Sequence, residues 1–77
     1  MSDTASALLA ILQENVPGLQ LDPAVDGDRP LTEVGVDSLD KMSILLAVQE
    51  KWDREFSEEE IAELVSFNDI CRKVDAA

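Results

Sequence analysis

Apolar residues recur at helical spacing in four stretches of the chain and are scattered through a fifth. Ala5, Leu8, Leu9, Leu12 and Val16 lie three or four residues apart and share one face of a helix, predicting a first helix from about Thr4 to Asn15. Ser2, Asp3 and Thr4 each offer a side-chain oxygen able to cap its N-terminus, and Pro17-Gly18 ends it. A second helix is predicted from Ser38 to about Arg54, a stretch without Gly or Pro, with Asp37 at the N-cap position. A short third helix fits about Glu58 to Leu64, where Ser57 and Glu60 have the spacing of a capping box. A fourth fits about Phe67 to Val74, capped by Ser66, with Asp69 in its first turn and Phe67, Ile70, Cys71 and Val74 on one face. No strand pattern, repeat or low-complexity tract interrupts this series.

The scattered stretch runs from Pro17 to Asp37 and holds all three prolines and all three glycines. It reads as a long loop, with Leu19, Leu21, Val25, Leu31 and Val34 pinning it onto the helices. Loops beyond about 15 residues are uncommon in compact domains and usually functional. The expected fold class is all-α: a four-helix bundle of three longer helices and one short helix, with a long first loop. At 77 residues the chain makes one domain, residues 1–77, with a thin core.

The second helix carries two apolar sectors. At about 100° per residue, Ile44, Leu45, Val48 and Trp52 fall together and should face the core. Leu39, Met42 and Leu46 fall on the other side, with Asp40, Glu50 and Asp53 bordering them. A helix that buries one face does not need that second sector. The sector is either covered by the loop and third helix or offered to a partner.

Charge narrows the partners. Seventeen acidic residues against six basic ones give a formal net charge of −11, which weakens the fold at low ionic strength by self-repulsion. That field excludes nucleic acid and anionic membrane surfaces, whose phosphates need Lys and Arg, and favours cationic protein surfaces. The single cysteine permits no internal disulfide. No apolar run approaches the roughly 20 residues that span a bilayer, and Met1-Ser2-Asp3-Thr4 lacks the basic segment of a signal peptide. The expectation is a cytoplasmic monomer. With no histidine in the chain, Ser-His and Cys-His nucleophile chemistry is excluded and the commonest metal ligand is missing. No catalytic residue is assigned, and the chain is not expected to be an enzyme.

The stretch Gly35-Val36-Asp37-Ser38-Leu39-Asp40 carries the candidate chemistry. Ser38 at a helix start lies beside free backbone N–H groups and the positive end of the helix dipole, where a phosphodiester is favoured. Gly35 permits a tight approach turn. Asp37 and Asp40 add the negative charge that suits a Mg²⁺-dependent transferase delivering a phosphoryl group to Ser38. Read alone, Asp37 and Ser38 are also what an ordinary capped helix start carries.

This stretch resembles the attachment motif of acyl carrier proteins, and the resemblance extends over nearly the whole chain. It takes in the long first loop, the approach Leu31-Thr32-Glu33-Val34-Gly35, the mid-chain motif, the apolar Leu45, Val48, Trp52 and Phe56, the acidic Glu58-Glu59-Glu60 and the short final helix. It implies that Ser38 holds a covalent 4′-phosphopantetheine and that Asp37 assists loading by a phosphopantetheinyl transferase. The implied function is a carrier of acyl or aminoacyl thioesters for fatty-acid, polyketide or non-ribosomal peptide enzymes. The implied partner face is the second helix, with Leu39, Asp40, Met42, Leu46, Glu50 and Asp53. Lys41, Ser43 and Lys51 depart from the more uniformly acidic helix of bacterial fatty-acid carriers, which points toward a dedicated biosynthetic pathway.

Other features have plainer readings. Asp22, Asp26, Gly27 and Glu33 sit at EF-hand positions, but Ala24 and Arg29 stand where a ligand oxygen and a hydrophobic residue belong, so no metal site is assigned. Cys71 lies on the apolar stripe of the last helix and reads as structural. Trp52 reads as core, and Glu58-Glu59-Glu60 as a solvated helix start. A second function class is an unmodified acidic helical adaptor binding a cationic partner. The chain's ends favour a free-standing carrier over an excised module.

Overall fold

The computed structural model describes residues 3–76. Five α-helices and one 3-10 turn follow in order: α1 (Asp3–Asn15), α2 (Pro23–Asp26), the 3-10 turn (Leu31–Val34), α3 (Ser38–Lys51), α4 (Glu58–Glu63) and α5 (Phe67–Asp75). No strand occurs among the described residues. α1, α3 and α5 are the three longer helices, and α1 packs against both of the others.

The fifth helix, α2, lies inside the stretch predicted as loop. Asp22 caps it by accepting the Ala24 amide at 3.0 Å, and Pro23 presets its first turn. Four residues are too few to write a periodicity, and the one large apolar residue, Val25, is 74% exposed instead of pinning the segment. Leu21 and Leu31 do the anchoring, both buried in the core. Gly27 lets α2 approach α5: a Cβ there would lie 2.5 Å from the Pro23 carbonyl oxygen and 2.6 Å from Asn68 Nδ2. Across this contact the Asn68 amide donates to the Gly27 carbonyl at 2.9 Å, and Asn68 Nδ2 donates to Asp28 at 2.9 Å.

α3 ends at Lys51, three residues before the predicted Arg54. Asp53 takes a left-handed conformation, φ 52°, which breaks the helical run. The Arg54 amide then donates to the Gln49 carbonyl at 2.8 Å and the Asp53 amide to Glu50 at 3.4 Å, a Schellman closure built on Asp in place of Gly. Trp52, expected in the core, sits at the helix end, half-buried and packed against the core cluster, with the Lys51 ammonium 5.8 Å from its ring centroid. Both short-range caps are present as expected: Ser57 with Glu60 and Ser66 with Asp69 form reciprocal capping boxes. Ser2 lies outside the described residues. Thr4 does not cap; its hydroxyl donates to Asp75 at 2.6 Å and ties the start of α1 to the end of α5.

The core is one cluster. Leu8 and Leu12 of α1, Ile44, Leu45 and Val48 of α3, and Phe67 and Ile70 of α5 are almost fully excluded from solvent. Leu31 and Val36 join them from the two ends of the segment that leads into α3. That pair of buried residues fixes the place where α3 begins.

Candidate functional site

The approach to α3 is built backwards from its anchors. The Leu31 amide donates to the Val65 carbonyl at 2.9 Å, locking the 3-10 turn to the α4–α5 junction. Gly35 adopts φ 98°, a left-handed turn that side chains disfavour, and reverses the chain. Val36 then drops into the core, its amide bonded to the Leu31 carbonyl at 3.0 Å. Asp37 is extended; its carboxylate accepts the Asp40 amide at 2.8 Å and its carbonyl accepts the Lys41 amide at 2.8 Å. Ser38 follows as the first residue of a 14-residue helix.

Ser38 is therefore an exposed residue on a rigid mount, between buried Val36 and buried Ile44 and Leu45. Its hydroxyl makes no hydrogen bond among the described residues, and neither its amide nor that of Leu39 has a protein acceptor. Two free donors at a helix N-terminus, with the dipole behind them, suit an anionic ester on the Ser38 oxygen. A phosphodiester fits there without displacing any protein contact.

The second apolar sector is on the surface. Leu39 is 80% exposed, Met42 46% and Leu46 58%, while Ile44, Leu45 and Val48 are sealed. Asp40 is half-buried and Glu50 exposed. Asp53 is exposed and lies beyond the end of the helix. Because the helix ends before it, its position is set by the left-handed turn and not by the helical wheel. The chain pattern did not foretell Val65, which is also exposed, on the connection between α4 and α5.

The acidic residues of the long first loop do not converge. Asp22 caps α2, Asp28 holds Asn68, and Asp26 accepts the Asp22 amide at 3.1 Å and Arg29 at 3.1 Å. The Asp22 amide and then Arg29 hold the Asp26 carboxyl below its ordinary range. Among the described residues no three carboxylate or thiol groups are placed to share a metal ion. Cys71 is half-buried on α5, and burial pushes its thiol up, away from the reactive thiolate. Glu60 reaches across to Lys73 on α5 while closing its own capping box, which lowers its carboxyl to about 2.

Compared with known families, residues 6–74 match the family model described as phosphopantetheine attachment site. The matched span runs from the first turns of α1 to the last turn of α5 and includes the whole mount of Ser38.

Proposed function

Because the chain belongs to the phosphopantetheine attachment family, we propose that Ser38 is the residue through which it carries its 4′-phosphopantetheine. A carrier of this family bears that group covalently and works with phosphopantetheinyl transferases and biosynthetic enzymes. The observation behind the assignment is the exposed Ser38 hydroxyl beside two unbonded amides at the start of α3.

Each nearby residue has a part in this reading. Ser38 offers the oxygen that becomes the ester. The Ser38 and Leu39 amides and the helix dipole stabilise the ester's negative charge. Asp37 uses one carboxylate oxygen on the Asp40 amide and keeps the other for the metal-dependent loading reaction on the transferase. Once attached, the arm supplies a thiol that holds acyl or aminoacyl groups as thioesters, and its tether raises their effective concentration at each enzyme. Leu39, Met42 and Leu46 form the centre of the docking face, and Asp40, Glu50 and Asp53 supply acidic groups that steer cationic partners.

Lys41, Ser43 and Lys51 lighten the acidity of α3 and support a dedicated polyketide or peptide pathway over general fatty-acid synthesis. No described helix is long and apolar enough to cross a membrane.

The test is intact mass after incubation with coenzyme A, Mg²⁺ and a transferase, followed by peptide mapping. One phosphopantetheine adduct on Ser38 is expected, with Ser38→Ala folded and unmodified. An adduct on Ser43, Ser57 or Ser66 would move the site. No adduct with several transferases would return the chain to the reading of an unmodified acidic adaptor.

A further inference from the structure

The chain has six basic residues, and the structure gives five of them a partner. Arg29 pairs with Asp26 at 3.1 Å and Arg72 with Asp69 at 2.6 Å. Lys73 pairs with Glu60. The Arg54 guanidinium donates to the carbonyls of Lys73 and Val74 at 3.0 Å and of Ala76 at 3.1 Å, closing the end of α5. Lys51 lies over the Trp52 ring at 5.8 Å. Among the described residues Lys41 is the one cation with no ion pair, side-chain hydrogen bond or ring contact.

Its position makes that vacancy informative. Lys41 is half-buried and follows Ser38 by three residues on α3, a spacing that sets the two Cβ atoms about 5–6 Å apart. Helical side chains lean toward the N-terminus, so the Lys41 stem is directed back along the helix toward Ser38. Nothing local calls for a cation there. A helix start disfavours positive charge, and Asp37, the acid four residues before, has its carboxylate on the Asp40 amide without pairing with Lys41. A phosphodiester on Ser38, in turn, would enter a domain of net charge −11 between Asp37 and Asp40.

Building on the assignment of Ser38, we propose that Lys41 is the counter-ion of the phosphodiester. Its ammonium donates to a non-bridging phosphate oxygen and so joins the Ser38 and Leu39 amides as the third donor at the root of the arm. The cation offsets the repulsion from Asp37 and Asp40 and holds the first bonds of the arm over the start of α3. A lysine suits this role because its long stem reaches a point charge without a fixed fork geometry.

The experiment uses the full-length chain in apo and transferase-loaded forms, as wild type, Lys41→Gln, Lys41→Arg and Lys51→Gln. Mass spectrometry first establishes loading at Ser38 in each. The ³¹P resonance of the loaded protein and the Lys41 Cε resonance are then read at low and high salt. On loading, the wild-type Lys41 Cε signal is expected to shift while those of Lys51 and Lys73 stay. The ³¹P signal should move in Lys41→Gln toward its high-salt position, and stay near the wild-type value in Lys41→Arg and Lys51→Gln. A loaded wild type whose Lys41 signal does not respond would overturn the inference and leave the Ser38 assignment standing. So would ³¹P shifts of equal size in Lys41→Gln and Lys51→Gln, which would mean only a general field. A wild type that gains no adduct at Ser38 would overturn both.

Discussion

Leu45 and Leu46 are neighbours on one helix, and the same truncation of each should give opposite results. Leu45 is fully buried among α1, α3 and α5, and Leu46 is 58% exposed. Leu45→Ala removes a sealed side chain and leaves a cavity, at a cost of about 3 kcal/mol. A 77-residue domain has a total stability of roughly 4 to 11 kcal/mol, so that single change takes a large share. With a urea slope of about 1 kcal/mol per molar, the midpoint should fall by about 3 M. Leu46→Ala loses only partial burial and gains the better helix propensity of Ala, so its stability should stay within about 0.5 kcal/mol of wild type. The assay is paired: urea unfolding by far-UV circular dichroism, and the rate at which the cognate enzyme loads or unloads the arm. Leu45→Ala should lose activity only in proportion to unfolding. Leu46→Ala should stay folded and slow the transfer. If Leu46→Ala melts like Leu45→Ala, the surface face is part of the core. If it melts like wild type and transfers at the wild-type rate, the face is bare surface and does not dock.

Three further outcomes follow from other contacts. Gly27→Ala should cost about 1–3 kcal/mol in thermal or urea unfolding, because its Cβ meets the Pro23 carbonyl within α2 at 2.5 Å and Asn68 Nδ2 on α5 at 2.6 Å, which forces the two helices apart; a neutral result would mean that α2 shifts freely. The Glu60 carboxyl is held at about 2, against 4.5 when unperturbed, first by Lys73 and then by the Ser57 amide. Its contribution is therefore full above about 4.5 and is lost as the pH falls toward 2. Glu60→Gln keeps the capping box and loses the ion pair, so melting curves from neutral pH downward should lack that part of the acid decline. Added salt or millimolar Mg²⁺ should raise the melting temperature by several degrees, about 1 kcal/mol at this size, by screening a net charge of −11; calorimetric binding should show no single tight site.

What was legible in the sequence was what short-range chemistry decides. The Ser57–Glu60 and Ser66–Asp69 capping boxes, the Asp37 cap and the sealed stripe Ile44, Leu45, Val48 each follow from residues within one or two turns. The exposed apolar strip Leu39, Met42, Leu46 was legible because helical geometry alone separates it from that stripe. What stayed hidden depends on contacts distant in sequence or on unusual backbone. α2 is held by Gly27 against Asn68, forty-one residues away, and no pattern within four residues announces it. The early end of α3 rests on a left-handed Asp53, a conformation that Asp tolerates less well than Gly and that no periodicity announces. Lys41 could be seen in the sequence only as a departure from a more acidic helix. Its lack of a partner is a property of where the other five cations go.

That use of cations bears on how a carrier of this charge can both fold and be recognised. Four of the six basic groups bind within or between α2, α4 and α5 or close the end of α5, away from the start of α3. Each neutralises acid or carbonyl charge where it would loosen the fold. Little positive charge is then left on the face running from Ser38 through Leu46, so in the proposed docking a cationic enzyme would meet acidic groups around an apolar strip. On that reading a transient partner would be steered by the acidic groups and released because the strip is short. The rigid anchoring of Ser38 by Val36, Gly35 and the Leu31–Val65 bond complements this. On the proposed attachment at Ser38, it would fix where the arm begins, so the arm's length alone would set what each docked enzyme reaches.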